Sequence, residues 1–196
     1  MELLKVEDLV NIAEYETHRK NFRQEIMDLK KQRRISVGEF VTLVFENRQT
    51  MKFQVQEMMR AERIVELQRI EEEIDTYNQL IPGKNQLKAT LFIEVTEQEL
   101  IKPTLNRFQG IDRGGTTFLA IGDELVEAEY EGGRSSEIKL SAVHYVTFQL
   151  SLAQISKIRN FKIPASIKIS HPSAKYIYES LINEDLRHQL ANDLSR

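Results

Sequence analysis

One apolar stripe constrains this chain more than any other feature. Between residues 51 and 80, Phe53, Met58, Ala61, Ile64, Val65, Leu67, Ile70 and Ile74 recur at spacings of three and four. An α-helix turns once in about 3.6 residues, so these side chains share one side of it. The spacing predicts a long amphipathic helix that Pro82 and Gly83 stop, because proline cannot continue a helix and glycine lowers the cost of leaving one. A stripe of that length needs a covering layer, and the rest of the chain has to supply it.

The flanking patterns supply strands and further helices. Residues 6–34 read as helical, with Val6, Leu9, Val10, Ile12, Ala13, Phe22, Ile26 and Leu29 set among charges and with Ser36 and Gly38 closing the segment. Residues 40–45 are rich in β-branched and aromatic side chains and read as a buried strand. Residues 87–95 place Ala89, Leu91, Ile93 and Val95 on one face of a strand. An acidic helix over 97–108 leads to a turn at Gly110, Gly114 and Gly115, followed by strands over 117–121 and 125–130. The Gly132 and Gly133 pair suits a hairpin into a strand over 138–150, then a helix from Ser151 to Arg159 and a strand over 167–169. Helical segments are expected from Ala174 onward, with Asn183 capping the last, which carries Leu186, Leu190 and Leu194. Strands that follow one another without helical crossovers favour an antiparallel or mixed sheet. The expected fold is a single α+β domain over residues 1–196, its sheet packed against one long central helix with additional terminal helices.

Composition narrows the chemistry. The chain has no cysteine, which removes disulfides, thiolate nucleophiles, Cys-ligated zinc and protein-held iron–sulfur clusters together. A net charge of −3 over 196 residues provides no global attraction to nucleic acid or anionic lipid. The short basic run Lys30, Lys31, Arg33 and Arg34 suits the dipole at a helix carboxyl end without any partner. The amino-terminal residues are acidic from Glu2 and hold no apolar run of signal-peptide kind, and no later stretch approaches membrane-spanning length. A cytoplasmic protein that binds neither nucleic acid nor membrane is expected.

Polar residues crowd the start of the long helix: Glu46, Asn47, Arg48 and Thr50, then Gln54, Gln56, Glu57, Arg60 and Glu62. Thr50 can accept a backbone N–H there, and Gln54, Glu57 and Arg60 fall on adjacent ridges that could hold a ligand. The simpler reading is an i,i+3 pair of Glu57 with Arg60, and it is favoured because such spacings are common on ordinary helices. The four histidines add little. His18 follows Glu14 by four and His188 follows Asp185 by three, spacings that fit surface ion pairs as well as metal ligands. His144 shares a strand face with Ala142 and Val146 and reads as a core residue, while His171 precedes Pro172 and reads as a turn. Nucleophile-elbow, dinucleotide and P-loop signatures are absent, as are paired Glu-x-x-His units.

Six short stretches occur in one order: Tyr15-Glu16 through Arg19, Phe45-Glu46-Asn47-Arg48 with Thr50, Gln54-Val55-Gln56-Glu57-Met58 with Arg60, Tyr77-Asn78 with Pro82-Gly83, Ala89-Thr90-Leu91 with Glu94, and Val143-His144-Tyr145. Together they span most of the chain and resemble a bacterial family known as domain of unknown function 3501. The resemblance implies genes placed near rubrerythrin-like proteins and a cysteine-rich iron–sulfur oxidoreductase, hence an association with redox or peroxide defence and oxidative stress, with no established activity or cofactor. The polar positions that match it are Glu46, Asn47, Arg48, Gln54, Gln56, Glu57, Arg60, Tyr77, Asn78, Glu94, His144 and Tyr145.

Three functional expectations follow. The first is a non-catalytic accessory to a redox system, with a redox protein as partner. The second is a metal-dependent or small-molecule-binding enzyme with a polar pocket at the start of the long helix, lined by Glu57, Arg60, Glu94 and His144, since an unpaired charge inside an element is costly. The third is a homo-oligomer that pairs the long helix across a two-fold axis; a monomer in light scattering would dispose of it.

Overall fold

The computed structural model describes residues 1–132 and 141–195. Its strands are β1 (Arg34–Val37), β2 (Val41–Phe45), β3 (Gln86–Ile93), β4 (Thr117–Ile121), β5 (Glu124–Tyr130), β6 (Val143–Gln149), β7 (Ala165–His171) and β8 (Tyr176–Leu181). Its α-helices are α1 (Ile12–Gln32), α2 (Arg48–Glu62), α3 (Leu67–Asn78), α4 (Gln98–Arg107), α5 (Leu152–Arg159) and α6 (Glu184–Asp193). The strands form one sheet in the order β1-β2-β3-β6-β5-β4-β7-β8, antiparallel throughout. The sheet curls until β1 lies beside β7 and β8, giving a nearly closed barrel.

Strand periodicity fills the barrel. Alternate residues point inward, among them Leu43 and Phe45 of β2, Leu87, Ala89 and Leu91 of β3, Val146 and Phe148 of β6, and Ile167 and Ile169 of β7, all within one buried cluster. Ile155 and Ile158 of α5 and Leu186 and Leu190 of α6 join that cluster at one end, beside Phe45 and Phe148. Phe108, just past α4, fills the other end between Phe40, Tyr176 and His171. Tyr176 also fastens the seam: its hydroxyl accepts from the N–H groups of Phe40 (3.0 Å) and Val41 (3.2 Å) and donates to the Val37 carbonyl (2.5 Å). Gly38 makes that turn with φ +73°, and a Cβ there would sit 2.5 Å from the Tyr176 hydroxyl and 2.7 Å from the Tyr178 ring.

Outside the barrel wall, Met51, Val55 and Met59 of α2, Ile64, Ile74 of α3, Leu80, Ile81 and Leu4 form a second apolar cluster, on which Tyr145 of β6 packs. Short polar side chains set the helix starts. Asn11, Ser151 and Asn183 each accept a backbone N–H at their N-termini, from Glu14, Gln154 and Leu186. No helix among the described residues is long and apolar enough to cross a membrane.

This architecture corrects the fold expected from the sequence. No single long helix packs on a sheet: the stripe over 51–80 is divided between α2 and α3. Arg63 adopts the left-handed conformation (φ 53°) that ends α2, and the Ile64 N–H turns back to the Met59 carbonyl (2.8 Å). Ile64 is thereby buried in the second cluster while Val65 is exposed. No glycine or proline marks the break, so helical periodicity alone runs through it. The first helix runs over Ile12–Gln32 rather than 6–34, so that Arg34, read as its last residue, opens β1, and the segment read as helical from Ala174 includes β8. Both strands lie at the sheet's edges, where pairing with β2 and β7 decides the conformation rather than local propensity. From Gly133 the expected hairpin lies outside the described residues, and β6 begins at Val143.

Candidate functional site

Glu46 is the single residue between the end of β2 and Asn47, the cap of α2. Its backbone is held on both sides: the N–H donates to the Lys88 carbonyl (2.8 Å), and the carbonyl accepts from the Arg33 guanidinium (3.1 Å). Asn47 and Thr50 form a reciprocal cap in which the Thr50 hydroxyl accepts the Asn47 N–H (3.0 Å) and Asn47 Oδ1 accepts the Thr50 N–H (3.0 Å). This tight strand-to-helix turn leaves the Glu46 side chain only 4% exposed. Oε1 accepts from the Thr90 hydroxyl at 2.6 Å, whereas Oε2 has no hydrogen-bond partner among the described residues.

Glu46 lines a cleft of about 320 Å³ between the end of α3 and the outer wall made by β3, β6 and β5. Lys88, Tyr145, Thr147, Glu129 and Glu131 face it from the wall, and Gln79 and Leu80 close it from the helix side. Cross-strand register explains the gathering: Lys88 pairs with Thr147, Thr147 with Glu129, and Thr90 with Tyr145, so outward side chains of neighbouring strands stand together. The Lys88 ammonium donates to the Gln79 carbonyl just past α3, and burial pushes its pKa down. Glu46 also lines a second cleft of about 540 Å³, with an apolar floor of Met27, Val44 and Phe92 and a rim of Lys30, Lys31 and Arg34.

The twelve residues singled out from the sequence occupy several places. Glu46 and Tyr145 meet in the first cleft, and Glu46 and Glu94 in the second. Glu94 holds Arg34 through both oxygens (2.8 Å each) and accepts from Thr42 (2.8 Å). Glu57 faces α1, where Arg19 donates to both of its oxygens (2.7 and 2.8 Å) and Tyr15 to one (2.7 Å). Arg19 holds the Glu57 carboxyl below its usual range, while burial and then the Glu57 bond push the Tyr15 hydroxyl up. Arg60 pairs with Glu16 of α1 (2.5 Å) rather than with Glu57.

Gln56 and Asn78 imitate backbone. Gln56 accepts the Val10 N–H (2.8 Å) and donates to the Val10 carbonyl (3.1 Å), and Asn78 does the same for Leu4 (2.8 and 3.0 Å). Arg48 adds an ion pair to Asp8 (2.5 Å), so the three strap the amino-terminal segment to α2 and α3. Tyr77 packs in the second cluster near Tyr145, and burial pushes its pKa up, while Gln54, on the neighbouring α2, opposes that shift.

His144 points into the barrel opposite Leu91, edge-on to Tyr130 at 5.9 Å. The Tyr130 hydroxyl bonds Thr117 (2.6 Å), and burial pushes its pKa up to about 12. Glu57, Arg60 and His144 therefore do not converge. His171 closes β7, buried rather than in an open turn, with Nε2 lacking a partner among the described residues. His188 lies 3.7 Å from Glu184 and against the Phe161 ring. Among the described residues, no group of three or more His, Asp or Glu side chains is placed to hold a metal ion.

Sequence reasoning missed Lys88, Gln79, Glu129, Glu131 and Thr147. Lys88 and Thr90 alternate with inward Leu87, Ala89 and Leu91, so the signal for an outward polar face was present but did not say which strands flank it.

Fold and cleft together define a small antiparallel α+β barrel with a carboxylate buried in its outer wall. The chain belongs to the family described as "Protein of unknown function (DUF3501)", which matches residues 3–194. It is similar to a crystal structure from Burkholderia pseudomallei K96243 described as a novel protein of unknown function, with 32% identity, a TM-score of 0.90, and coverage of 98% of this chain and 100% of that one. No curated protein matches the chain.

Proposed function

We propose that this protein binds a small molecule in the outer-wall cleft and recognises it through Glu46. The observation that carries this reading is the Glu46 Oε2 atom, buried beside a cleft of about 320 Å³ and lacking a donor among the described residues. A buried acceptor left unsatisfied costs about 1–3 kcal/mol, and more when charged, so a fold that keeps one beside an opening is suited to a ligand that supplies the missing N–H or O–H. The neighbouring Thr90 bond and the backbone anchors at Phe45, Glu46 and Lys88 hold the acceptor in place without the ligand.

A thermal-shift screen of chemically diverse small molecules against the wild type and Glu46→Gln tests it. Compounds that raise the wild-type Tm are expected to lose that effect in the variant, with circular dichroism confirming its fold. Equal stabilisation of both proteins by every hit would refute the assignment.

Binding without chemistry also fits the accessory role in redox or peroxide defence that the family resemblance implies, because a chain without cysteine performs no thiol redox step itself. Copurification from a bacterial host tests that role, which falls if no rubrerythrin-like or iron–sulfur protein is retained above background.

A further inference from the structure

Lys20, Arg23, Met27 and Lys30 follow one another along α1 at spacings of three and four, with Lys31 beside them, and so share one side of the helix. Two clefts open along that side and have Met27 in common. One, of about 350 Å³, is lined by α1 side chains that include Lys20 and Arg23. The other is the cleft of about 540 Å³ with its floor of Met27, Val44 and Phe92 and its rim of Lys30, Lys31 and Arg34.

The carboxylates along this side are engaged. Glu16 pairs with Arg60 (2.5 Å) and Asp28 with Lys31 (2.8 Å), while Glu94 holds Arg34 through both oxygens. Glu46 keeps an unpartnered Oε2, but at 4% exposure it lies beneath the surface that a docked chain would touch. Glu14 and Glu25 fall on the opposite side of α1 by the same periodicity. Arg19 is taken by Glu57. Lys20, Arg23 and Lys30, by contrast, make no side-chain hydrogen bond or ion pair with any described residue. The Lys31 pair is exposed on both sides (74% and 53%), so water and salt screen it. A chain of net charge −3 thus gathers uncompensated cations along one helix, beside an apolar floor.

We infer that this side of α1 docks an extended acidic segment of a partner protein. One bulky apolar side chain of that segment sits on Met27, Val44 and Phe92, and carboxylates on either side of it meet Lys20 and Arg23 at one end and Lys30 and Lys31 at the other. Lys20 and Lys30 stand about 15 Å apart at 1.5 Å per helical residue, the span of about four or five extended residues. The cations steer the encounter and the apolar anchor fixes the register. The inference goes beyond the small-molecule reading and does not use Glu46 Oε2. A single-stranded nucleic acid fits less well, because its bases need exposed rings to stack on, and Phe22, the ring within this stretch of α1, is engaged by Tyr15 and Phe53.

Fluorescence anisotropy with the full-length protein at low salt tests this with four labelled probes: a phenylalanine flanked on both sides by glutamates, the same peptide with serine for phenylalanine, the same with lysines for glutamates, and an oligothymidine. The first peptide is expected to bind and to shift the amides of Met27, Lys30, Val44 and Phe92 in two-dimensional NMR. The serine peptide should bind about tenfold more weakly, and the lysine peptide should not bind. Lys20→Ser, Arg23→Ser and Lys30→Ser combined, with circular dichroism confirming the fold, should weaken the first peptide by about tenfold or more and flatten its salt dependence. No binding of that peptide, or equal binding to wild type and the triple variant, would overturn the inference. Serine and phenylalanine peptides of equal affinity would overturn the anchor and leave only a diffuse cationic surface. Oligothymidine binding more tightly than the peptide, and lost in the triple variant, would replace the protein partner with a nucleic acid.

Discussion

Replacing Arg33 by methionine should remove about 3–5 kcal/mol of stability, the cost of breaking a buried ion pair from one side. Arg33 is 0% exposed and ties three elements together. Its Nε donates to the Phe45 carbonyl (2.7 Å), its Nη atoms donate to the Glu46 carbonyl (3.1 Å) and Gln189 (3.3 Å), and it forms an ion pair with Asp193 of α6, whose side chain is 8% exposed. Methionine matches the length of the stem but leaves two backbone carbonyls without their donor and Asp193 without its guanidinium. A domain of this size is stable by about 5–15 kcal/mol in all. The loss should therefore lower Tm by about 6–20 °C, at about 2–4 °C per kcal/mol. Arg33→Lys should recover less than half, because one ammonium cannot reach acceptors on β2 and α6 at once. Adding Asp193→Leu to the methionine variant should restore part of the loss by removing the buried carboxylate. Urea denaturation followed by circular dichroism measures all three. A loss below about 1 kcal/mol for Arg33→Met, against the range above, would refute the reasoning that this cation holds the barrel to α6.

The clasp between α1 and α2 should weaken in acid. Glu57 and Asp8 are both held below their usual pKa values, chiefly by hydrogen bonds from Arg19 and Arg48, so their stabilisation is present above about pH 4.5 and is lost as pH falls through their folded values. Glu57→Gln should flatten that part of the Tm-versus-pH curve, and an unchanged acid limb would count against the clasp. Gln56→Leu should cost about 1–2 kcal/mol by removing two bonds to Val10, and should speed amide exchange and proteolysis within residues 1–11; unchanged exchange at Val10 would contradict the strap. Gly38→Ala combines a left-handed φ with a clash against Tyr176 and Tyr178 and should destabilise by about 2–4 kcal/mol, as read by thermal unfolding. An alanine variant of wild-type stability would show that the barrel seam tolerates displacement there.

Local chemistry was legible where a side chain acts within a few residues of itself. Asn183 and Ser151 cap the helices they were read to open, and Leu87, Leu91 and Ile93 alternate into the core as the strand pattern requires. The resemblance carried by the short motifs also led to the family to which the chain belongs. Much that was singled out as polar and unusual turned out to tie one segment to another: Gln56 to Val10, Asn78 to Leu4, Arg60 to Glu16. A sequence records such residues as polar but does not say what they bond, because their partners lie tens of residues away.

By itself the sequence determined the helix starts at Ser151 and Asn183, the inward alternation of β3 and the absence of thiol chemistry, since each depends on neighbouring backbone or on composition. Tertiary structure alone decided that the stripe over 51–80 breaks at Arg63, that Arg34–Val37 and Tyr176–Leu181 become edge strands, and that Arg33 is buried while Lys30 and Lys31 line a cleft. It also decided that Glu46, Lys88 and Tyr145 share one opening. The physical reason is the same in each case. Strand pairing, burial and charge compensation are set by contacts between segments distant in the chain, and those contacts outweigh the few tenths of a kcal/mol by which local propensity favours one conformation over another.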